Sequence, residues 1–413
     1  MRNTPPSGLA NRRRFLKTSS AAGAAFLAAG PLGRARAAGA NERLSVGLIG
    51  AGGQGNALAN QVRGLAESHN AEITALCDVW RVNLERAAEQ VEQGFGRRAR
   101  TTTRFAELLE LDDVDAVIIA TTDNAHTPIL LAALEAGKDV YVEKPMSITI
   151  EEANAALDAT RRTGRVVQVG TQWRSQGNYI AARDLLATGI LGKVNRVTAA
   201  MNFNEPRWAR GYDDCRADDV DWEAYLFNRP MVDFDPRLLR RWHLYKMFTN
   251  GLAGLWMSHY ASAVQFLLGT GCPTSAVSHG GIYVWDDGRE HTDTFQTVLD
   301  YPEGFLFSWA MGLGNSAGVC WSIHGTLGTA DLEAWTVSPA GGRSTDVEEA
   351  EITPAPGISH MGNWLECIRL RGTPTADIVS GHQHSVTTVL AADALTSGRR
   401  LVYDPQTRTI TPA

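Results

Sequence analysis

The sequence predicts an α/β protein in two parts: a doubly wound parallel sheet first, then an α+β domain on a large, mostly antiparallel open sheet. Three observations predict it. An apolar strand runs straight into a glycine-rich turn. Short apolar strands then alternate with helical stretches of 10–15 residues. From about residue 171 the pattern changes to successive alternating strands.

Composition agrees. The 413 residues are 20% charged and 44% hydrophobic, with 40 Gly and 16 Pro, which excludes a disordered, collagen-like or disulfide-scaffold chain and suits two globular domains. Residues 1–37 carry seven Lys/Arg and no Asp/Glu, which leaves 32 Lys/Arg against 45 Asp/Glu, a net charge of −13, in the rest. So acidic a body argues against nucleic acid or anionic membrane as a partner. The cysteines (Cys77, Cys215, Cys272, Cys320, Cys367) are scattered and never form a CxxC pair, so neither a metal site nor a disulfide framework is expected.

Arg12-Arg13-Arg14-Phe15-Leu16-Lys17 resembles a twin-arginine export motif. The weakly apolar run Ala21 to Leu32 follows it, and then the small-x-small pattern Ala35-Arg36-Ala37. Residues 1–37 are therefore expected to be an export signal cleaved before Ala38. The apolar run is broken by Gly30-Pro31 and falls short of the ~20 residues a membrane helix needs, as does every other run; no membrane span is expected in the mature protein. The twin-arginine resemblance implies a periplasmic protein that engages the Tat machinery already folded, with any cofactor inside.

The first domain is expected over residues 38–170. Leu44 to Ile49 is apolar with β-branched members, as in a buried parallel strand. It leads into Gly50-Ala51-Gly52-Gly53-Gln54-Gly55, a G-x-G-x-x-G, and then a helical pattern to about Leu65. In a Rossmann domain Gly50 permits the tight turn, Gly52 lets backbone approach a pyrophosphate, and Gly55 lets helix and strand pack closely. The helix N-terminus would hold the phosphates. A second strand, Glu72 to Cys77, ends at Asp78, 23 residues beyond Gly55. A carboxylate there accepts hydrogen bonds from ribose hydroxyls and repels a 2′-phosphate, which favours NAD over NADP. Arg81 is the opposing signal, since an arginine there suits that phosphate. Strands at Val114–Ala120, Asp139–Val142 and Val166–Val169 alternate with helices at His126–Ala136 and Ile150–Thr163, completing right-handed βαβ units whose ligands sit at the carboxyl ends of the strands.

At one such end stands Glu143-Lys144-Pro145, which resembles the E-K-P signature of the glucose–fructose oxidoreductase / inositol dehydrogenase / MocA family. Ala120-Thr121-Thr122-Asp123-Asn124-Ala125-His126 is similar to that family's A-T-P-x-x-x-H turn, with Thr122 in place of proline. Gly137 to Pro145 matches its G-K-x-V-x-x-E-K-P stretch. Gln168 to Ser175 resembles the crossover into its second domain, and Ile323-His324-Gly325-Thr326-Leu327-Gly328 a late run of it. The resemblance implies that Lys144 hydrogen-bonds the substrate hydroxyl and serves the proton relay while hydride moves to the nicotinamide. It further implies cofactor contacts from Gly50, Gly52, Gly53, Gln54, Gly55, Asp78, Thr121, Asn124, His126, Glu143, Lys144, Gln172 and Trp173. Burial beside a positive ring lowers a lysine's pKa toward neutrality, as acid/base work requires.

The second domain is expected over 171–379. A helix at Tyr179–Leu186 precedes strands at Val194–Met201, Thr274–Val284, Thr294–Leu299, Phe305–Met311 and Val319–Ile323. Residues 380–413 are expected to form a terminal helix, Ser380 to Ser397, that returns to the first domain. In the family the open sheet face commonly packs on another subunit, which implies a homo-oligomer. Trp256-Met257-Ser258-His259-Tyr260 occupies the place of the family's D-x-G-x-H-x-x-D helix, with His259 matching the histidine. Leu255 and Ser262 stand where the two aspartates would be. The expected acid/base pair is then Lys144 and His259 alone.

Ten of the 11 tryptophans follow Gly170, and the segment Phe203 to Phe248 is rich in Trp, Arg, Asp and Pro. Carbohydrate recognition uses this chemistry, aromatic faces against C–H surfaces and charged forks on hydroxyl pairs; a subunit interface uses it too. Candidate substrate contacts are Lys144, Arg174, Tyr179, Arg241, Tyr245 and His259. His382 and His384 lie two apart on a helix and point to different faces, and Asp213-Asp214 with Asp218-Asp219 read as a solvated acidic loop. Three functions follow from this reading: a periplasmic NAD-dependent oxidoreductase of a sugar, polyol or glycoside with retained cofactor; a redox-neutral NAD-dependent glycosidase; or a non-catalytic sugar-binding protein.

Overall fold

The computed structural model describes residues 43–341 and 347–413; the expected export signal lies outside them. The first sheet holds β1 (Leu44–Ile49), β2 (Ala71–Cys77), β3 (Arg100–Thr102), β4 (Ala116–Ile119), β5 (Asp139–Val142) and β6 (Val167–Val169). They run in the order β3-β2-β1-β4-β5-β6, every pair parallel. All six residues of β1 are buried because helices cover both faces. On one face Leu48 packs with Leu58 and Val62 of the Gly53–Gly64 helix and Leu84 and Val91 of the Arg81–Phe95 helix. On the other, Val117 and Ile119 pack with Ile129 and Leu130 of the Asp123–Glu135 helix and Leu157 of the Ile150–Thr163 helix. The strand order reverses between β1 and β4, and that switch point opens the ligand crevice at their carboxyl ends.

The second sheet has ten strands. β7 (Val194–Asn202), β8 (Ser275–Gly281), β9 (Thr294–Tyr301), β10 (Phe305–Gly312), β11 (Cys320–Gly325), β12 (Gly328–Asp331), β13 (Thr336–Pro339), β14 (Ala350–Glu351), β15 (Leu401–Asp404) and β16 (Thr409–Pro412) lie in the order β14-β13-β12-β11-β7-β10-β9-β8-β15-β16. The pair β7/β10 is parallel and the other pairings are antiparallel. The Gly177–Leu186, Ser258–Leu268 and Ile378–Ser397 helices cover one face, where Val264 and Leu390 meet Leu299, Phe307 and Trp321. The opposite face leaves Val277 of β8 and Leu306 of β10 exposed.

Three features depart from the sequence reading. The Arg81–Phe95 helix, β3 and the Phe105–Leu109 helix were not anticipated: the first has a regular stripe, Leu84, Ala87, Ala88 and Val91, but two of its four members are alanines set among charges, and the other two elements span three and five residues. The His360–Leu370 helix, inside the stretch assigned to the second domain, packs Met361, Trp364 and Leu365 into the core of the first sheet. The terminal helix touches both β6 and β8, but the chain does not finish with it: β15 and β16 form a hairpin on the β8 edge of the second sheet. Leu44–Ala413 thus form one compact unit. Among the described residues no helix is long and apolar enough to cross a membrane.

Candidate active site

The crevice begins at the turn after β1. Gly50 has φ +91°, and a Cβ on it would meet the Ala120 carbonyl oxygen at 2.4 Å, so only glycine fits. A Cβ on Gly55 would lie 1.8 Å from the Gly50 carbonyl oxygen, whereas at Gly52 and Gly53 it would meet nothing within 4 Å. The helix starts at Gly53 without a side-chain cap or an acidic residue in its first turn, so its first amides face the crevice, as a pyrophosphate requires. A cavity of about 500 Å³ opens here, lined among others by Gly50, Gly52, Gly53, Gln54, Asp78 and Thr121, a size that suits a bound nucleotide.

Asp78 sits at the end of β2, buried, with Oδ2 accepting from Ala51 N (2.7 Å) and Oδ1 from Trp80 N (2.8 Å). Burial raises its pKa to about 6 against the pull of those amides. Arg81 points elsewhere: its Nη1 donates to the Asp218 carbonyl oxygen at 2.9 Å.

Asp218 belongs to the Trp- and Arg-rich segment, which the structure lays across the rim of the cavity. Asp221 N donates to Val79 O (2.8 Å), and Val220 forms a bridge with Trp80. Asp221 Oδ2 accepts from Thr103 Oγ1 (2.9 Å) and pairs with Arg104 (3.2 Å). Trp80, Cys215 and Val220 bury one another, the Arg240 guanidinium lies 4.8 Å from the Trp80 ring, and Phe227 meets Phe105 edge-on at 5.3 Å. Arg210, Tyr225, Trp242 and His243 of this segment line the same cavity as the glycine turn. The segment is a strap over the crevice.

Glu143 and Lys144 leave the end of β5. Glu143 is buried; its Oε1 accepts from Gln54 Nε2 (2.8 Å) and Gln172 Nε2 (3.0 Å), and its Oε2 from Lys144 N (3.1 Å). A Cβ on Gly170 would lie 2.7 Å from both carboxylate oxygens. His126, neutral because burial pushes its pKa down to about 4, donates from Nδ1 to the Pro145 carbonyl at 2.8 Å and so holds the turn after Lys144. Asn124 N bonds Phe248 O (3.0 Å), tying the same helix start to the second domain.

Lys144 Nζ donates to the Leu255 carbonyl oxygen at 2.8 Å. Leu255 lies in a single π-helical turn, Ala253–Met257, that enters the Ser258–Leu268 helix; such turns recur at functional sites. Burial lowers the Lys144 pKa, opposed by Asp123 and then Glu143. His259 follows on the helix, its ring stacked 5.2 Å from Trp173 and tilted against Trp256 at 6.1 Å. Its Nδ1 is buried without a hydrogen-bond partner. Burial, the Lys144 ammonium and His384 hold its pKa well below the usual range, so it stands ready to accept a hydrogen bond.

The other candidates divide. Gln172 and Trp173 reach the site through Glu143 and His259, and Thr121 lines the cavity. Arg174 instead donates to the Ser262 and Thr375 carbonyls and lies over Phe266, a structural arrangement. Tyr179 stacks behind Trp173 in the second core. Arg241 turns to the Arg210 carbonyl and the Tyr212 ring, and Tyr245 packs with Leu226 and Phe248 in the strap's own small apolar cluster. Their neighbour His243, stacked between Trp242 (3.7 Å) and Trp208 (5.4 Å), is among the strap residues that line the cavity. Asp123, inside the quoted A-T-T-D-N-A-H stretch, was also missed: a carboxylate in a helix's first turn reads as a dipole partner, and only the fold brings it beside Lys144. His382 bonds Asn154 and His384 bonds Met146 and Ser380; among the described residues no cluster of three metal-ligating side chains occurs.

Residues 44–171 match the model of the GFO_IDH_MocA oxidoreductase family, NAD-binding Rossmann fold. Two curated relatives are a glycosyl hydrolase family 109 protein of Shewanella pealeana, 27% identical over 52% of this chain and 50% of that one, and the inositol 2-dehydrogenase of Salmonella typhimurium, 28% identical over 36% and 43%. The chain spans about half the length, or less, of these relatives. Among solved structures, the aldose-aldose oxidoreductase of Caulobacter crescentus superposes with a TM-score of 0.66 at 19% identity, over 87% of this chain and 99% of that one. Residues 44–171 thus carry the match to the family's NAD-binding Rossmann model, and the likeness of fold continues through the second sheet.

Proposed function

We propose that this protein oxidises a hydroxyl of a sugar, polyol or glycoside with NAD that stays bound between turnovers. The observation that carries the reading is the half-buried Lys144, held by the Leu255 carbonyl beside the neutral His259 at the carboxyl end of β5. NAD supplies the hydride acceptor. Lys144 and His259 take the hydroxyl proton, and the aromatic walls of Trp173 and Trp256 exclude water around them. Retention is supported by the strap, whose Thr103–Asp221 and Val79–Asp221 hydrogen bonds close the rim of the cavity. It is further supported by residues 1–37, read as a twin-arginine signal that would deliver the folded holoprotein to the periplasm. There, released NADH meets no free nucleotide pool.

A second reading keeps the same site. Similarity to a glycosyl hydrolase family 109 protein favours a redox-neutral glycosidase, in which Lys144 and His259 would serve transient oxidation of a ring hydroxyl and its later reversal. One experiment separates the two. The purified protein is denatured and its nucleotide identified by mass spectrometry. The holoprotein is then mixed with a panel of sugars and aryl glycosides. Stoichiometric NADH on mixing with a free sugar or polyol supports oxidation, and aryl alcohol release without net NADH supports the glycosidase. No nucleotide in protein purified from the periplasm defeats the retained-cofactor reading. Export is tested by Arg12→Lys with Arg13→Lys, which should trap the precursor in the cytoplasm; undiminished periplasmic protein would rule out the twin-arginine route.

A further inference from the structure

We propose that Asp123 supplies the counter-charge that positions the Lys144 ammonium in the crevice, from the first sheet, where the helix carrying His259 offers no carboxylate of its own. The inference rests on reading Lys144 as the proton carrier. Asp123 is 2% exposed and begins the Asp123–Glu135 helix, yet it does not cap that helix. Its Oδ2 instead accepts from Thr249 Oγ1 at 2.6 Å, and Thr249 Oγ1 accepts from Gly251 N at 3.2 Å. That chain fixes the carboxylate against the segment leading into the π turn. The approach is close: a Cβ on Gly254 would meet Pro145 Cγ at 3.2 Å and Asp123 Oδ2 at 3.5 Å. Gly254 thus lies between the carboxylate and the turn that carries Lys144, and the next residue, Leu255, offers its carbonyl to Nζ.

Position 255, where an aspartate would reach the ammonium from the helix, holds a buried leucine whose backbone oxygen does the hydrogen bonding. A carbonyl orients an ammonium but carries no net charge, and burying that cation without an anion is costly. Asp123 and Glu143 are the carboxyls whose charge acts on Lys144, Asp123 more strongly; burial raises Asp123 to about 7, so it is an anion in the alkaline range where Lys144 gives up its proton. Glu143 is already engaged by Gln54, Gln172 and the Lys144 amide. The other titratable groups that feel the ammonium are His126, His243, His259 and His384, all held neutral by burial. Asp123 therefore acts through Lys144 as a positioning residue. It keeps the amine protonated until substrate and cofactor are in place and sets the pH at which Lys144 becomes a base.

The test is Asp123→Asn, which keeps an acceptor for Thr249 and removes the charge. The Lys144 titration is followed in the substrate-free holoprotein by competitive acylation with mass-spectrometric readout, and single-turnover nicotinamide reduction is followed across pH. Losing the anion should lower the Lys144 pKa by roughly one pH unit, as loss of an opposite charge a few ångströms away does. The alkaline rise in rate should shift to lower pH by the same amount. A structural role alone would lower the rate without moving either titration; an unmoved titration overturns the proposal. If acylation shows the shift while no sugar is oxidised, the counter-charge stands and the oxidoreductase reading falls. Should Asp123→Asn not fold, the wild-type protein labelled at aspartate Cγ decides. The Asp123 resonance must show a second inflection where Lys144 loses its proton, and a single inflection overturns the assignment.

Discussion

Lys144 Nζ and the Leu255 carbonyl oxygen, 111 positions apart in the chain, meet at 2.8 Å, and that bond joins the end of β5 to the π turn before His259. Lys144→Met removes the ammonium and leaves the phosphate-binding turn at Gly50–Gly55 untouched. Bound nucleotide should be retained. Single-turnover nicotinamide reduction should fall by roughly 10²–10⁴-fold, the usual contribution of a positioned acid/base. His259→Ala should lose a similar factor, and the double variant less than the product. Stopped-flow absorbance of the nicotinamide gives all three; wild-type rates in Lys144→Met would remove the lysine from the chemistry.

Asp78 and Arg81 send opposite sequence signals about the second phosphate, and the structure separates them. Asp78 is fixed at the crevice by Ala51 N and Trp80 N, while Arg81 donates to Asp218 O in the strap. Asp78→Ser should narrow the NAD/NADP affinity ratio by relieving repulsion of a 2′-phosphate. Titrating both nucleotides into nucleotide-free protein measures it, and an unchanged ratio would show that Asp78 does not read the ribose.

Most of the first sheet was legible because glycine chemistry and buried apolar strands are local signals. Gly50 and Gly55 stand where backbone atoms approach within 3 Å of a missing Cβ, and β5 and the Ile150–Thr163 helix fall at their expected bounds. What escaped depends on distant partners. Arg241 and Tyr245 looked like substrate contacts by residue type, yet the chain direction turns them away and presents His243 instead. Asp123 gains its meaning from Thr249, 126 positions on. The strap had no periodicity to read, since its hold comes from single contacts such as Asp221 with Val79, Thr103 and Arg104.

Asp221 concentrates those contacts and also caps the Trp222–Leu226 helix through Ala224 N at 3.2 Å. Asp221→Ala should therefore loosen the strap where it crosses the crevice. Loss of the cap alone costs about 1 kcal/mol, and if most of that is felt in the closed state, nucleotide should leave roughly three- to fivefold faster. Asp235, which pairs with the exposed Arg237 and does not line the cavity, provides the control: Asp235→Ala also removes a cap but should leave the release rate unchanged. Fluorescence of bound NADH during displacement by excess NAD records the rate. Equal rates in wild type and Asp221→Ala would mean that the strap does not hold the nucleotide.

The buried histidines set the acid limit of the fold. Burial lowers eight of them, His126, His291, His360 and His382 to about 4 and His384 to about 3, with His243 and His259 well below the usual value and His324 lowered as well. Unfolded, each would titrate near 6.5. The unfolded chain then binds more protons between about pH 6.5 and 4, so stability is full above 6.5 and is lost as pH falls toward 4. Five carboxyls act with the opposite sign: the buried Asp78, Asp123 and Glu143 and the less buried Glu152 and Asp393 are raised by desolvation, so the folded state holds their protons and gains on acidification. The histidines outnumber them, and the melting temperature should fall steadily through this window. Each net proton contributes a slope of about 1.4 kcal/mol per pH unit. His384, which accepts from Met146 N and donates toward Ser380 O, tests the assignment. His384→Gln should lower stability at pH 8 through lost packing yet flatten the pH dependence by about one proton. Thermal melts of nucleotide-free protein from pH 4 to 8 measure both, and an equally steep profile in the variant would place the acid sensitivity elsewhere.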